Sequence, residues 1–179
     1  MTRKIVGLAL SSVLAFSAVP ALADQPVAGE NELAGRLNYT DIDYGSGSVT
    51  NTEFTLAWGR YLTPNHQVGL NASYIDQEIE DDFGDSLSAD GSTLGVFYAF
   101  HFGTAGMTTP YIGVNAAIIS GDLGDLYDYS YGLEAGLKVF PYKNAGFVFS
   151  VSYAELSAAE SFIEDADGIN VGAGLLIRF

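Results

Sequence analysis

The chain is 179 residues long, 48% hydrophobic and free of cysteine, with 7 Lys and Arg against 22 Asp and Glu and a formal net charge of −15. Without cysteine there is neither a disulfide framework nor a lipoprotein-type lipidation site, and the acidic balance excludes nucleic acid or a bare anionic surface as a partner. Beyond the N-terminus no stretch reaches the uninterrupted apolar length of a membrane helix, so the hydrophobic residues must be spread through a different architecture.

At the N-terminus, Thr2-Arg3-Lys4 precedes an apolar stretch from Ile5 to Val19, and Ala21-Leu22-Ala23 fits the small-x-small cleavage rule. Residues 1–23 are predicted to be a cleaved secretory signal peptide, since the apolar stretch is too short for an anchoring helix. Loss of Arg3 and Lys4 leaves five Lys and Arg against 22 Asp and Glu, a mature net charge of −17 over residues 24–179.

Eight segments of the mature chain alternate with the period of two that marks a strand: 32–43, 51–62, 67–77, 91–102, 110–119, 128–140, 146–155 and 168–179. In the fourth, Leu94, Val96, Tyr98, Phe100 and Phe102 lie opposite Thr93, Gly95, Phe97, Ala99 and His101. In the sixth, Tyr129, Tyr131, Leu133, Ala135, Leu137 and Val139 lie opposite Ser130, Gly132, Glu134, Gly136 and Lys138. In the eighth, an apolar face from Ile169 to Phe179 opposes Asn170, Gly172, Gly174 and Arg178. Eleven residues also match the length of a tilted strand across a bilayer.

Connections alternate in character. Thr63–His66, Pro141–Asn144 and Gly103–Thr109 are tight, whereas Gly45–Thr50, Glu78–Asp90, Ser120–Tyr127 and Leu156–Asp167 are longer. The expectation is an all-β, eight-stranded antiparallel up-and-down transmembrane barrel, with turns and termini on the periplasmic side and loops outside. A soluble lipocalin-like barrel would turn the same bulky Tyr, Phe and Leu faces inward, but an eight-stranded lumen has no room for them. Trp58, Phe100, Phe102, Phe147 and Phe179 toward the turn rim, and Tyr39, Phe54, Tyr74, Tyr129, Tyr131 and Tyr153 toward the loop rim, suggest two aromatic girdles.

Several stretches carry a family resemblance: Tyr61-Leu62-Thr63-Pro64-Asn65 with Val68-Gly69-Leu70, Thr109-Pro110-Tyr111-Ile112-Gly113-Val114, and the terminal Arg178-Phe179. With them the mature chain resembles the small outer-membrane β-barrel proteins of Gram-negative bacteria, the group of the OmpA membrane domain, OmpX and the opacity-type adhesins. The resemblance implies an outer-membrane location and a Phe179 that is read by the barrel assembly machinery. It also implies a monomer surrounded by outer-membrane lipid and lipopolysaccharide. Unlike OmpA-type proteins the chain ends at Phe179, so a peptidoglycan-binding domain is not expected.

The catalytic inventory is thin. His66 falls in a predicted turn and His101 on a lumenal face. A lipid A deacylase of this size would need His and Ser two residues apart on the outer lipid-facing half, but His101 is followed by Phe102 and Gly103. A palmitoyltransferase would need a histidine at the loop rim. Acyl transfer requires a nucleophile within reach of a base, so no enzyme activity, cofactor or metal is expected.

Six charged residues have lumenal parity: Glu32, Arg36, Glu53, Glu134, Lys138 and Arg178. Glu134 and Lys138 stand about 13 Å apart along one strand, so each needs a partner on a neighbouring strand. Two readings follow, a hydrogen-bonded plug or a gate for a narrow small-solute pore. Acidic residues crowd three loops: Asp76, Glu78, Glu80, Asp81, Asp82, Asp85 and Asp90, then Asp122, Asp125 and Asp128, then Glu160, Glu164, Asp165 and Asp167. They suggest a solvated surface, or divalent-cation bridges to lipopolysaccharide; Asp81 stands where an EF-hand loop requires Gly. The function expected is structural or at the cell surface, with adhesion or host-defence resistance through the loops as one alternative and lipid A modification as another.

Overall fold

Eight strands close on themselves in the computed structural model, which describes residues 25–43, 47–81, 86–103, 107–159 and 166–179. They are β1 (Asn31–Asp43), β2 (Gly47–Thr63), β3 (His66–Asp81), β4 (Ser86–His101), β5 (Thr108–Gly121), β6 (Tyr127–Val139), β7 (Ala145–Ala158) and β8 (Ala166–Arg178). Each pairs antiparallel with its neighbours in sequence, and β8 returns to β1 with Arg36 opposite Gly174. The fold is the predicted transmembrane up-and-down barrel. The signal-peptide segment 1–23, and Asp82, Asp85, Glu160, Glu164 and Asp165, lie outside the described residues.

The ladder extends further than alternation indicated. β2 begins at Gly47 instead of 51, β3 runs to Asp81 instead of 77, and β4 begins at Ser86 instead of 91, with Glu80 still opposite Ser86. Asp76, Glu78, Glu80, Asp81 and Asp90 are therefore strand residues and not loop residues. Once strands rise above the lipid, either face tolerates polar residues, so the hydrophobic period fades while the backbone ladder continues. Asp128 lies on β6 and Asp167 on β8. The β5–β6 connection is ordered as a single-turn 3-10 helix, Asp122–Asp125, which carries Asp122 and Asp125.

Parity assigns the two faces. Leu37, Leu56, Leu70, Leu94, Val96, Ile112, Val114, Leu133, Val171 and Leu175 all stand outward with roughly half of their surface exposed. In water so continuous an apolar band would be untenable, and it supplies the lipid contact of a membrane barrel. Trp58, Phe102, Phe147 and Phe179 flank the band at one end, and Tyr39, Phe54, Tyr74, Tyr129, Tyr131 and Tyr153 at the other, all exposed.

Inside, glycines make room for large neighbours. A Cβ on Gly136 would lie 2.5 Å from the Tyr111 ring and 2.5 Å from Phe149 O. One on Gly69 would lie 2.5 Å from the Phe97 ring, and one on Gly174 would lie 2.8 Å from Arg36 Cγ. In a lumen as narrow as eight strands allow, each long side chain needs a bare stretch of opposing wall. Gly136→Val is therefore expected to destabilise the barrel by about 2 kcal/mol or more. Gly35→Ala, where an added Cβ meets nothing within 4 Å, should be close to neutral. Urea unfolding in lipid vesicles, followed by tryptophan fluorescence, compares the two.

Candidate functional site

Four of the six predicted lumenal charges form two ion pairs, and both run between β1 and β6. Glu32 and Arg36 stand four apart on β1, Glu134 and Lys138 four apart on β6, and the two strands run in opposite directions. The order acid then base on each strand therefore sets Glu32 against Lys138 and Arg36 against Glu134. The partners face each other across the lumen and not from adjacent strands as expected, since β7 and β8 intervene on the shorter way round. A chord across a narrow barrel is within reach of two long side chains, whereas the flanking strands place Gly113 and Ser152 opposite Glu134 and offer it no cation, only the Tyr111 hydroxyl.

The inner pair is fully satisfied. Lys138 Nζ donates to Glu32 Oε1 at 2.5 Å, to Gln67 Oε1 at 2.9 Å and to Tyr61 OH at 3.4 Å, which uses all three of its protons. Glu32 in turn accepts from Tyr61 OH at 3.0 Å and from Gln67 Nε2 at 3.1 Å. Lys138 Nζ also lies 5.6 Å and 5.3 Å from the Tyr61 and Tyr111 ring centroids. The outer pair is bonded at 2.6 Å, and Tyr111 OH donates to the second oxygen of Glu134, also at 2.6 Å.

Glu53 and Arg178 stand apart from these pairs. Glu53 accepts from Asn38 Nδ2 at 3.0 Å and Thr55 Oγ1 at 3.2 Å. Arg178 sits at the inner mouth, donates from Nη2 to Lys143 O at 3.1 Å and stacks 4.0 Å above the Phe140 ring. Phe179 follows with its ring exposed, while its backbone exchanges hydrogen bonds with Asn31 at 2.9 Å and 2.8 Å to seal the seam.

Sequence reasoning passed over Tyr61, Gln67 and Tyr111 as network members. Tyr61 shares the parity of Glu53 on β2 and Tyr111 that of Thr109 on β5, so inward-facing tyrosines in an otherwise small-residue lumen were the available signal. Both histidines belong to packing arrangements. His101 is buried between the Tyr61 and Tyr111 rings at 5.2 Å and 5.7 Å, and neither ring nitrogen reaches a hydroxyl. His66, the first residue of β3 and not a turn residue, bonds Tyr98 OH through Nδ1 at 2.7 Å. No group of three or more metal-ligating side chains occurs among the described residues.

A closed eight-stranded barrel with an apolar outer band and a charge-paired lumen defines a small transmembrane β-barrel protein. Among solved structures the chain is similar to Neisserial surface protein A, with a TM-score of 0.59 and 13% identity over 84% of this chain and 96% of that one. It is also similar to the N-terminal β-barrel domain of Pseudomonas aeruginosa OprF, at 0.52 and 18% over 86% and 100%. The outer membrane protein OprG from Pseudomonas aeruginosa matches at 0.51 and 15% over 86% and 97%. At these identities the likeness is one of fold. The sequence matches no protein-family model and no curated protein.

Removing one partner of the inner pair leaves a buried, uncompensated charge. Lys138→Met is expected to cost about 3 kcal/mol or more, and adding Glu32→Gln should recover more than half of that loss. Urea unfolding of the two variants in vesicles measures both values.

Proposed function

We propose that the protein is a monomeric, non-catalytic structural component of the outer membrane of a Gram-negative bacterium, with a lumen closed at its inner end. On this reading residues 1–23 direct export and are removed, lipid and lipopolysaccharide surround the barrel, and the assembly machinery reads Phe179.

The observation that carries the closed lumen is the dryness of its inner half. Glu32, Tyr61, Gln67, His101, Lys138, Phe140, Leu176 and Arg178 are each at most 5% exposed. A water-filled pore leaves its lining accessible, whereas these side chains pack on one another, and Glu32, Tyr61, Gln67 and Lys138 bond among themselves. The small void between the two ion pairs, about 50 Å³, has space for a few waters and no more. A histidine wedged between two tyrosine rings, with no nucleophile on its ring nitrogens, supports the non-catalytic part of the proposal.

A second reading, a surface role through the acidic rim, draws on the exposed Asp76, Glu78, Asp90, Asp122, Asp125 and Asp128 above the outer girdle. It is compatible with a closed lumen, because it uses only the loop end.

Refolded protein in a planar bilayer is expected to give no unitary currents, while Lys138→Ala should admit brief, small openings. Steady unitary currents from the wild type would overturn the closed-lumen reading. Expression in a Gram-negative host should leave lipid A acylation unchanged by mass spectrometry; a shift by one acyl chain would overturn the non-catalytic one.

A further inference from the structure

The outer half of the lumen differs from the inner. Between the Arg36–Glu134 pair and the β5–β6 connection lies a cavity of about 210 Å³, lined by amides and hydroxyls such as Asn38, Asn71 and Ser130 interspersed with apolar side chains such as Ile75 and Ile119. Its charges are unbalanced. One guanidinium, Arg36, stands among two lumenal carboxylates and is bonded to Glu134, while Glu53 is hydrogen-bonded to the neutral donors Asn38 and Thr55 and meets Arg36 only through space. A carboxylate in a narrow, low-dielectric space with neutral partners exerts a strong field on a counter-ion, far stronger than the same group at an open surface.

The cavity also has a roof. Gly121, with φ of 86°, turns the chain inward, and Leu123 of the 3-10 helix is 6% exposed and lines the cavity. It seats on Gly91, where an added Cβ would come within 2.9 Å of Leu123 Cβ. Floor, polar wall, excess charge and apolar roof together make a concave site whose few polar groups have an orientation to impose.

We propose that this outer chamber binds one small monovalent cation, an ammonium or alkali ion, with Glu53 as its counter-charge. The proposal rests on the closed-lumen reading only for its floor. A leaking floor would appear as bilayer current, whereas failure of the cation site appears only in a binding titration.

The test is an NMR titration of the whole mature protein in detergent micelles, following the Asn38 side-chain amide. Methylammonium is expected to shift that signal along a saturable curve, and Glu53→Gln to weaken the apparent affinity at least tenfold while the backbone spectrum stays dispersed. A parallel potassium titration distinguishes the sources: saturation by both assigns a general monovalent site, and by methylammonium alone an organic-ammonium site. Linear, non-saturable shifts with both cations would overturn the proposal, as would an equal affinity in Glu53→Gln. Methanol, neutral and similar in size to methylammonium, provides a check that needs no variant. An equal response to methanol would also reject a charge-based site.

Discussion

Two ion pairs strung across the lumen between β1 and β6 are the constraint on which the remainder of the barrel is arranged. Taking each of four charges out of water is unfavourable by several kcal/mol, and attraction offsets this only where geometry is good and the remaining protons and lone pairs find partners. Lys138 meets that condition with three acceptors, and Glu32 with two further donors. The order of charge on both strands makes the arrangement specific. A slip of four residues would face Glu32 with Glu134 or Arg36 with Lys138, so the pairs resist the register error that sheet hydrogen bonds alone would tolerate. Polar groups that fill the lumen thereby also fix how the strands meet.

Every other feature of the wall follows from fitting those side chains into so little space. Glycine on one strand accepts the ring or stem projecting from another, as Gly136 does for Tyr111 and Gly174 for Arg36. Outside, the same strands carry the Leu, Val and Ile band and its aromatic ends. Small inside and bulky outside is the inverse of a soluble barrel, and it follows from lipid replacing water as the outer solvent. The inner half of the lumen is packed around the Glu32–Lys138 network, whereas the outer half holds a cavity. One strand set therefore builds two compartments of different character.

Much of this was legible in the sequence, for identifiable reasons. Strand number, strand pairing and inner or outer facing all depend on a period-two pattern that the bilayer imposes on each crossing segment, and Tyr129 to Val139 displays it without interruption. The pattern fails where the bilayer ends, so the upper parts of β2, β3 and β4 read as loop although their ladders continue to Gly47, Asp81 and Ser86. The six lumenal charges were likewise visible by parity. Their pairing was not, because alternation specifies which way Lys138 points and not which side of the barrel it meets. The roof was hidden for a further reason: Leu123 stands in a short acidic connection with only Leu126 for company, and no periodicity marks it.

The sequence separation of the cross-lumen contacts bears on the timing of assembly. Lys138 and Glu32 are 106 positions apart and Arg36 and Glu134 are 98 apart, so neither pair can form until β6 has been delivered and the sheet has curled far enough to bring β1 opposite it. Until then all four charges remain hydrated, and a partly curled sheet retains a wet interior. Both pairs thus depend on the same late closure of β8 onto β1, so the cross-lumen contacts belong to the final stage of assembly.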